Sequence, residues 1–295
     1  MVTISDYDII FNLGVLEIGA MISTLLFGIT TSQAYTYYER YPADHLRIKI
    51  LVLSIWLLEL CHTTAVLQGL FFATITQYHR PELLFVKSAT GFTISFLLSG
   101  LIATIVQVKF ADRIRTVMGK PWLAIVCWIL SFARLLGTTW VAVLLFTIEL
   151  TEFANRWGHL AMATWFIAAS VDVLTAAALT INLVRKRQEA ILGKPILDKI
   201  IATTVQTGLV TSTNTVTMAI CFVAMPHNFV WAAFGFVLPK LFSISLFASL
   251  NARQKLRRAS EDAPTIYLEN LNELAKVPSK LEFTSTPITS SVHTT

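Results

Sequence analysis

Four ionisable side chains interrupt the apolar stretches of this sequence at comparable distances from the ends of those stretches. They are Glu59, Arg134, Asp172 and Lys240. At ~1.5 Å per residue, each lies about 17–21 Å from one end of its stretch, near the midplane of a hydrocarbon core ~30 Å thick. An unpaired charge at that depth costs about 2.5–3.5 kcal/mol, so two acids and two bases are expected to pair. We expect Asp172 to pair with Lys240, and Arg134 with Glu59 as a second pair or within one shared network.

Such residues have two possible roles. A buried ion pair can fix the packing of helices, and an ionisable residue inside a membrane also marks ligand or ion sites. His62 follows Glu59 by three residues and shares its helical face. A Glu–His pair can relay protons or bind a cation, and a core histidine with ordinary hydrogen bonds is the alternative.

Four threonines within the sixth apolar stretch form a stripe at helical spacing. Its members are Thr204, Thr207, Thr211 and Thr215. The stripe is expected to face the bundle or a wet cavity rather than acyl chains. Hydroxyls can also bond the carbonyls of their own helix, so both helix packing and a pore lining remain open.

Seven apolar stretches carry these residues, each close to the ~20 residues that cross a bilayer. The predicted helices are Leu13–Tyr38, Ile48–Ile75, Ser88–Val108, Pro121–Ile148, Gly158–Val184, Leu197–Ala224 and a last one within Phe229–Arg258. Charged residues make up 14% of the chain, against ~25% in soluble domains. The sequence predicts an all-α membrane protein, a seven-transmembrane-helix bundle over residues 1–250.

Basic residues concentrate in alternate connections between these stretches. The connections after the first, third and fifth helices and the start of the tail hold most of them, including Arg113, Arg115, Arg185, Lys186 and Arg187. Because cytosolic loops carry the excess of Lys and Arg, we predict an N-terminus outside and a C-terminus in the cytosol. We expect the positive charge, a net +5, to interact with anionic lipids of the cytoplasmic leaflet, and we expect no nucleic-acid partner.

The composition changes over residues 251–295. Basic residues come first, followed by a Ser/Thr-rich end, TSTPITSSVHTT, that cannot bury enough apolar surface to fold. We predict a disordered cytosolic tail. Ser260 follows Arg257 and Arg258 at a spacing typical of basophilic kinase sites, although any basic tail produces such matches by chance. A phosphate on Ser260 would weaken the attraction of the tail to the leaflet.

Several stretches taken together resemble a known family. They are LLFGITTSQAYTYYERYPAD, WLLELCHT, VQVKFADRIRTVMG, SVDVLTAAAL, TGLVTS and PKLFSISLFASLNAR, and they fall between Gly14 and Arg253. The chain thereby resembles a fungal family of seven-helix membrane proteins, expanded in mushroom-forming fungi and classed as domain of unknown function 6534. That family usually has a Tyr and an Asn in the last motif, where this chain has Phe242 and Ile244. The resemblance implies a fold and a kingdom but no activity.

The sequence contains no recognisable nucleophile–base pair, phosphate-binding loop or metal-ligand spacing. We therefore expect no catalytic residue, no cofactor and no metal. For a multi-pass protein, expected in the plasma membrane, three roles remain open. The first is a receptor-like sensor of a small-molecule ligand, with an outward cavity that reaches Asp172 and Lys240. The second is a small-solute or proton transporter that uses Glu59, His62 and the threonine stripe, and the third is a structural or scaffolding protein.

Overall fold

Seven long helices make up nearly all of the residues that the computed structural model describes, which are 6–77, 79, 88–118, 121–189, 194–225 and 228–252. The helices are α1 (Asp6–Arg40), α2 (Leu46–Phe71), α3 (Thr90–Met118), α4 (Pro121–Thr147), α5 (Gly158–Glu189), α6 (Lys194–Ala224) and α7 (Val230–Asn251). A π-helical turn, Phe72–Thr76, extends α2, and the turns Leu150–Glu152 and Phe153–Trp157 lead into α5. Within these ranges there is no strand, so the predicted all-helical class is confirmed.

Several helices extend beyond the apolar stretches that predicted them. The α3 helix continues to Met118 rather than ending at Val108, and its added turns carry Asp112 and Arg115. These two side chains form an ion pair of 3.1 Å at i,i+3 spacing, which supports a helical turn that hydropathy does not register. Among the described residues, six helices are long and apolar enough to cross a membrane, and a shorter apolar helix, Gly208–Ala224, lies within α6.

The helices form one bundle in which sequential helices are neighbours. Each of α1 to α6 packs against the next helix in the chain, and α7 closes the ring by packing against α1. The α7 helix also contacts α2 and α3. Short connections favour this sequential order. Side chains from the first three helices therefore meet α7 directly.

The exterior of the bundle is apolar and the interior holds polar side chains. Leu25 is 66% exposed, Ile129 63% and Trp122 61%, whereas Glu59 and Lys240 have no exposed surface. Soluble proteins show the opposite trend, because their charged residues are rarely buried. A lipid environment explains this distribution, since charged groups within a membrane face the protein interior.

The α1 helix fixes the position of α7 through close backbone contact and one cap. A Cβ atom on Gly19 would lie 2.7 Å from the Cβ of Ala233, so the two helices approach as closely as small residues allow. The side chain of Asn12 accepts a hydrogen bond of 2.6 Å from the backbone N–H of Phe229, just before α7 begins. Both contacts set the height of α7 in the bundle.

A proline interrupts α7 at its centre. Pro239 cannot donate a backbone hydrogen bond, which weakens the helical ladder around it. Two nearby carbonyls accept side-chain hydrogen bonds from other helices: Ser23 on α1 donates to Phe236 O at 2.9 Å, and Asn214 on α6 donates to Phe234 O at 3.1 Å. Neighbouring helices thus support the weakened turn, and Lys240 follows the proline directly.

Candidate functional site

A closed cluster of Glu59, Thr63, Lys240 and Ser243 joins α2 to α7. The ammonium of Lys240 donates to Glu59 Oε2, to the backbone carbonyl of Glu59 at 3.1 Å and to Thr63 Oγ1 at 2.8 Å. Ser243 Oγ donates to Glu59 Oε1 at 2.5 Å. An ammonium has three donors, so all of its hydrogen-bonding capacity and both carboxylate oxygens are used. The cluster is sealed, because the side chains of Glu59 and Lys240 are 0% exposed.

A second cluster, of Gln107, Arg134 and Asp172, joins α3, α4 and α5. It is buried, and we call it the open cluster because some of its polar atoms have no hydrogen-bond partner among the described residues. Gln107 Nε2 donates to Asp172 Oδ1 at 2.5 Å, and Arg134 Nη1 lies 3.9 Å from the same oxygen. The side chains of Arg134 and Asp172 are 5% and 2% exposed. A separation of 3.9 Å allows Coulombic attraction but exceeds hydrogen-bond distance. The charges are therefore paired without a direct hydrogen bond.

Three atoms of the open cluster have no hydrogen-bond partner among the described residues. They are Arg134 Nη1, Asp172 Oδ2 and Gln107 Oε1, one donor and two acceptors. Buried polar atoms are nearly always hydrogen-bonded, to protein or to an ordered molecule such as water, because an unmet group costs about 1–3 kcal/mol. The open cluster thus has the capacity to bind a small polar molecule.

The observed pairing corrects the predicted one. We expected Asp172 to pair with Lys240 and Arg134 with Glu59, but the structure pairs Lys240 with Glu59 and Arg134 with Asp172. Arg134 and Asp172 lie on α4 and α5, which are sequential neighbours, whereas Lys240 reaches α2 because α7 packs into the interior. Depth in the membrane could not identify the partners, because all four residues lie within candidate spans and at similar depths.

The Phe242 ring on α7 contacts the open cluster. Its centroid lies 5.1 Å from the guanidinium carbon of Arg134, within the range of a cation–π interaction. Lys240 and Ser243 of the closed cluster flank Phe242 on the same helix. The Phe27 ring lies 5.2 Å from the Lys240 ammonium in an equivalent contact. One helix therefore touches both clusters.

His62 lies on α2, one turn after Glu59 and next to Thr63 of the closed cluster, and is 0% exposed. Neither ring nitrogen has a hydrogen-bond partner among the residues that the structure describes. A core histidine with ordinary hydrogen bonds, the alternative considered for His62, would need a partner that the described part of the chain does not provide. Across that same part there is no group of three or more His, Cys, Asp or Glu side chains placed to hold a metal ion.

The threonine stripe is only partly described. Thr211 and Thr215 are buried, and their hydroxyls donate to Gly208 O at 3.1 Å and to Thr211 O at 3.0 Å. These bonds to the carbonyls of their own helix are the pattern expected for packing. The side chains of Thr204 and Thr207 lie outside the described residues.

The predicted basic residues fall into different settings. Arg113 donates to Ser249 Oγ on α7 at 2.6 Å, and Arg115 pairs with Asp112 and lies 5.7 Å from the Trp128 ring centroid. Arg185 is exposed. The side chains of Lys186 and Arg187 lie outside the described residues, and so do Ser260 and the rest of the predicted tail beyond residue 252.

Four residues that complete the two clusters were not predicted from the sequence as site residues. They are Thr63, Gln107, Phe242 as a site residue, and Ser243. A helical-spacing signal was present for two of them, because Thr63 follows Glu59 by four residues and Ser243 follows Lys240 by three. Gln107 was a polar side chain within an apolar stretch. Phe242 had no such signal, since an aromatic residue is common in a membrane helix.

Comparison with protein families supports the predicted resemblance over part of the chain. The all-helical fold with several apolar helices is that of a multi-pass membrane protein, by the length and composition of the helices. Residues 168–255 match a family described as a family of unknown function (DUF6534). The matched segment contains Asp172, Lys240, Phe242 and Ser243. The comparisons with curated proteins and with solved structures gave no match.

Proposed function

We propose that this chain is a receptor-like sensor of a small ligand, with the open cluster as its ligand site. The observation that carries the proposal is the set of three buried atoms in that cluster without a partner among the described residues. Buried polar groups inside a membrane are costly unless they are hydrogen-bonded, and ionisable residues at such positions often belong to functional sites. The proposal assigns no catalytic role to any residue.

The proposed orientation places seven crossings in the plasma membrane, with the N-terminus outside and residues 251–295 as a cytosolic tail. Its support is the distribution of Lys and Arg among the connections. The exposed side chains of Arg115 and Arg185 would contact anionic lipids of the cytoplasmic leaflet. An antibody against an epitope placed on the tail should bind permeabilised cells but not intact cells.

The α7 helix is the proposed route from the ligand site to the cytosolic side. Phe242 contacts Arg134 in the open cluster, and Ser249 near the end of α7 accepts the hydrogen bond from Arg113. A ligand that moves Arg134 therefore acts on a helix whose far end touches the basic turns of α3. Pro239 supplies a weakened turn in that helix.

A thermal-shift screen of small molecules on the purified full chain tests the sensor function. A ligand that binds the folded state raises the unfolding temperature by mass action. At least one compound should raise it in the parent and in Ser243→Ala, a control in the closed cluster, but not in Asp172→Asn. A library without any compound that shows this dependence on Asp172 would contradict the sensor function.

One observation favours a proton transporter as the second candidate. His62 is fully buried one turn from Glu59, with both ring nitrogens unpartnered among the described residues. A histidine in this setting can pass protons between neighbouring groups. Protein in vesicles loaded with a pH-sensitive dye should then dissipate an imposed pH gradient, and His62→Phe should abolish that flux. Equal leakage from His62→Phe and parent vesicles would eliminate the transporter candidate.

A further inference from the structure

The unpartnered atoms of the open cluster define the hydrogen-bonding pattern of its ligand, an inference that rests on the sensor function proposed above. Arg134 Nη1 requires an acceptor, while Asp172 Oδ2 and Gln107 Oε1 require donors. A pure acceptor such as a halide satisfies only the arginine. A pure donor such as an ammonium ion satisfies only the two oxygens. The ligand must therefore carry both kinds of group.

The charge balance of the cluster restricts the net charge of the ligand. Arg134 and Asp172 carry opposite unit charges and are at most 5% exposed in their side chains. The third member, Gln107, is an uncharged amide. A ligand with a net charge would leave one uncompensated unit charge inside the span, which is strongly unfavourable. A ligand with no net charge leaves the sum of charges at zero.

Arg134 keeps a donor available although an aromatic ring lies against it. Its guanidinium carbon lies over the Phe242 ring, 5.1 Å from the ring centroid. A guanidinium has five N–H donors, and Nη1 has no hydrogen-bond partner among the described residues. The 3.9 Å separation between Arg134 Nη1 and Asp172 Oδ1 also means that neither charge is held by a direct bond to the other. Neither group has to give up a direct hydrogen bond to the other when a ligand binds.

We propose that the open cluster binds a small molecule of zero net charge, uncharged or zwitterionic, that carries at least one hydrogen-bond donor and one acceptor. The closed cluster does not compete for this ligand, because all three donors of its ammonium and both oxygens of its carboxylate are already used.

Four compounds with the same three-carbon skeleton separate net charge from size. They are alanine as the zwitterion, lactamide as the uncharged molecule, lactate as the anion and alaninamide as the cation. Each is titrated against the purified full chain while the unfolding temperature is measured. At about ten times its dissociation constant, alanine or lactamide should raise that temperature by roughly 3–5 °C, and lactate and alaninamide should not.

Two variants identify the site, and a third controls for general solute effects. Gln107→Leu and Asp172→Asn each remove one of the unpartnered acceptors, and the shift should disappear in whichever of them is stably folded. Ser243→Ala lies in the closed cluster and should keep the shift. A shift of equal size in all variants is a solute effect and overturns the proposal.

The outcomes distinguish the ligand class from the sensor function. A site-dependent shift with lactate or alaninamide alone overturns the ligand class and leaves the sensor function standing. No shift with any of the four compounds also overturns the ligand class. The broader library screen described above then decides the sensor function, because it includes molecules of every charge.

Discussion

Two buried ion pairs among the residues that the structure describes have the same charges and similar burial, yet their atoms are hydrogen-bonded to different extents. In the closed cluster, the Lys240 ammonium has three acceptors and both oxygens of Glu59 are engaged. In the open cluster, the charges are 3.9 Å apart and three atoms have no partner among the described residues. A saturated pair stabilises packing, whereas an unsaturated pair retains the capacity to bind.

The side-chain chemistry of the two cations explains part of the difference. A lysine ammonium has three donors on a flexible stem, and one carboxylate, one hydroxyl and one backbone carbonyl are enough to satisfy it. Arginine has five donors in a rigid plane, more than one carboxylate at 3.9 Å can accept. The open cluster therefore needs further acceptors, and the Phe242 ring that contacts Arg134 from α7 supplies no hydrogen-bonding oxygen or nitrogen.

The largest effect is expected when one partner of the closed pair is removed. Glu59→Gln or Lys240→Met leaves a buried charge without its partner, which should lower the free energy of unfolding by about 3–5 kcal/mol. The double variant should recover a substantial part of this loss. Denaturation of the purified protein in mixed micelles measures all three variants.

A second double variant serves as the control for that cycle. Lys240→Met combined with Asp172→Asn should give losses that add to within about 0.5 kcal/mol, because these side chains belong to different pairs. Strong coupling between Lys240 and Asp172, with none between Lys240 and Glu59, would contradict the observed pairing.

A smaller effect is expected in the open cluster. Asp172→Asn should lower the free energy of unfolding by about 1–3 kcal/mol, less than the loss at the closed pair. The amide oxygen can still accept the hydrogen bond from Gln107, and the Arg134 guanidinium that loses its charge partner lies 3.9 Å away without a direct hydrogen bond to it. The comparison with Glu59→Gln, which is also an isosteric carboxylate-to-amide change, is the informative one. Equal losses at the two positions would show that the open cluster is as rigid as the closed one.

The sequence was sufficient to predict that these charges are paired, but not with which partners. Seven apolar stretches and four ionisable residues at similar depth were recognisable from residue types alone. Depth does not distinguish partners when all four residues share it. The pairing of Arg134 with Asp172 was accessible from chain order, because α4 and α5 are consecutive helices that pack against each other. The pairing of Lys240 with Glu59 depends on α7 entering the interior, which no local pattern specifies.

The hydrogen bonds that close one cluster and leave the other open were also beyond the sequence. Thr63 and Ser243 had the correct helical spacing, but the rotation of α7 about its axis decides whether Lys240 reaches Thr63 and whether Ser243 faces Glu59. That rotation is set by tertiary contacts elsewhere along α7, such as Gly19 against Ala233 and Asn12 at Phe229. Tertiary packing therefore determines which polar atoms find partners.

A single hydrogen bond tests how fully the closed cluster is saturated. Ser243→Ala removes the hydroxyl that donates to Glu59 Oε1 and leaves that oxygen unmet. The expected loss is about 1.5–3 kcal/mol, the range for a hydrogen bond to a charged group. Ser245→Ala is a matched control on the same helix, buried to a similar extent and outside both clusters. A loss in Ser243→Ala no larger than in Ser245→Ala would mean that Glu59 does not depend on this bond.

The smallest effect tests whether α7 reads the open cluster through its aromatic ring. Phe242→Leu keeps an apolar side chain but removes the ring that lies 5.1 Å from the Arg134 guanidinium. The cation–π part of the loss should be about 0.5–2 kcal/mol. Because the smaller side chain also changes packing, the relevant quantity is the coupling energy with Arg134→Met in a double-mutant cycle.

Phe236→Leu combined with Arg134→Met is the control, since the ring of Phe236 packs against Phe92 with a centroid distance of 5.4 Å. Coupling for Phe242 but not for Phe236 would place the ring in the open cluster energetically as well as geometrically. Equal values for both would remove the proposed route from Arg134 to α7, because α7 would then respond to Arg134 no more than any buried aromatic position does.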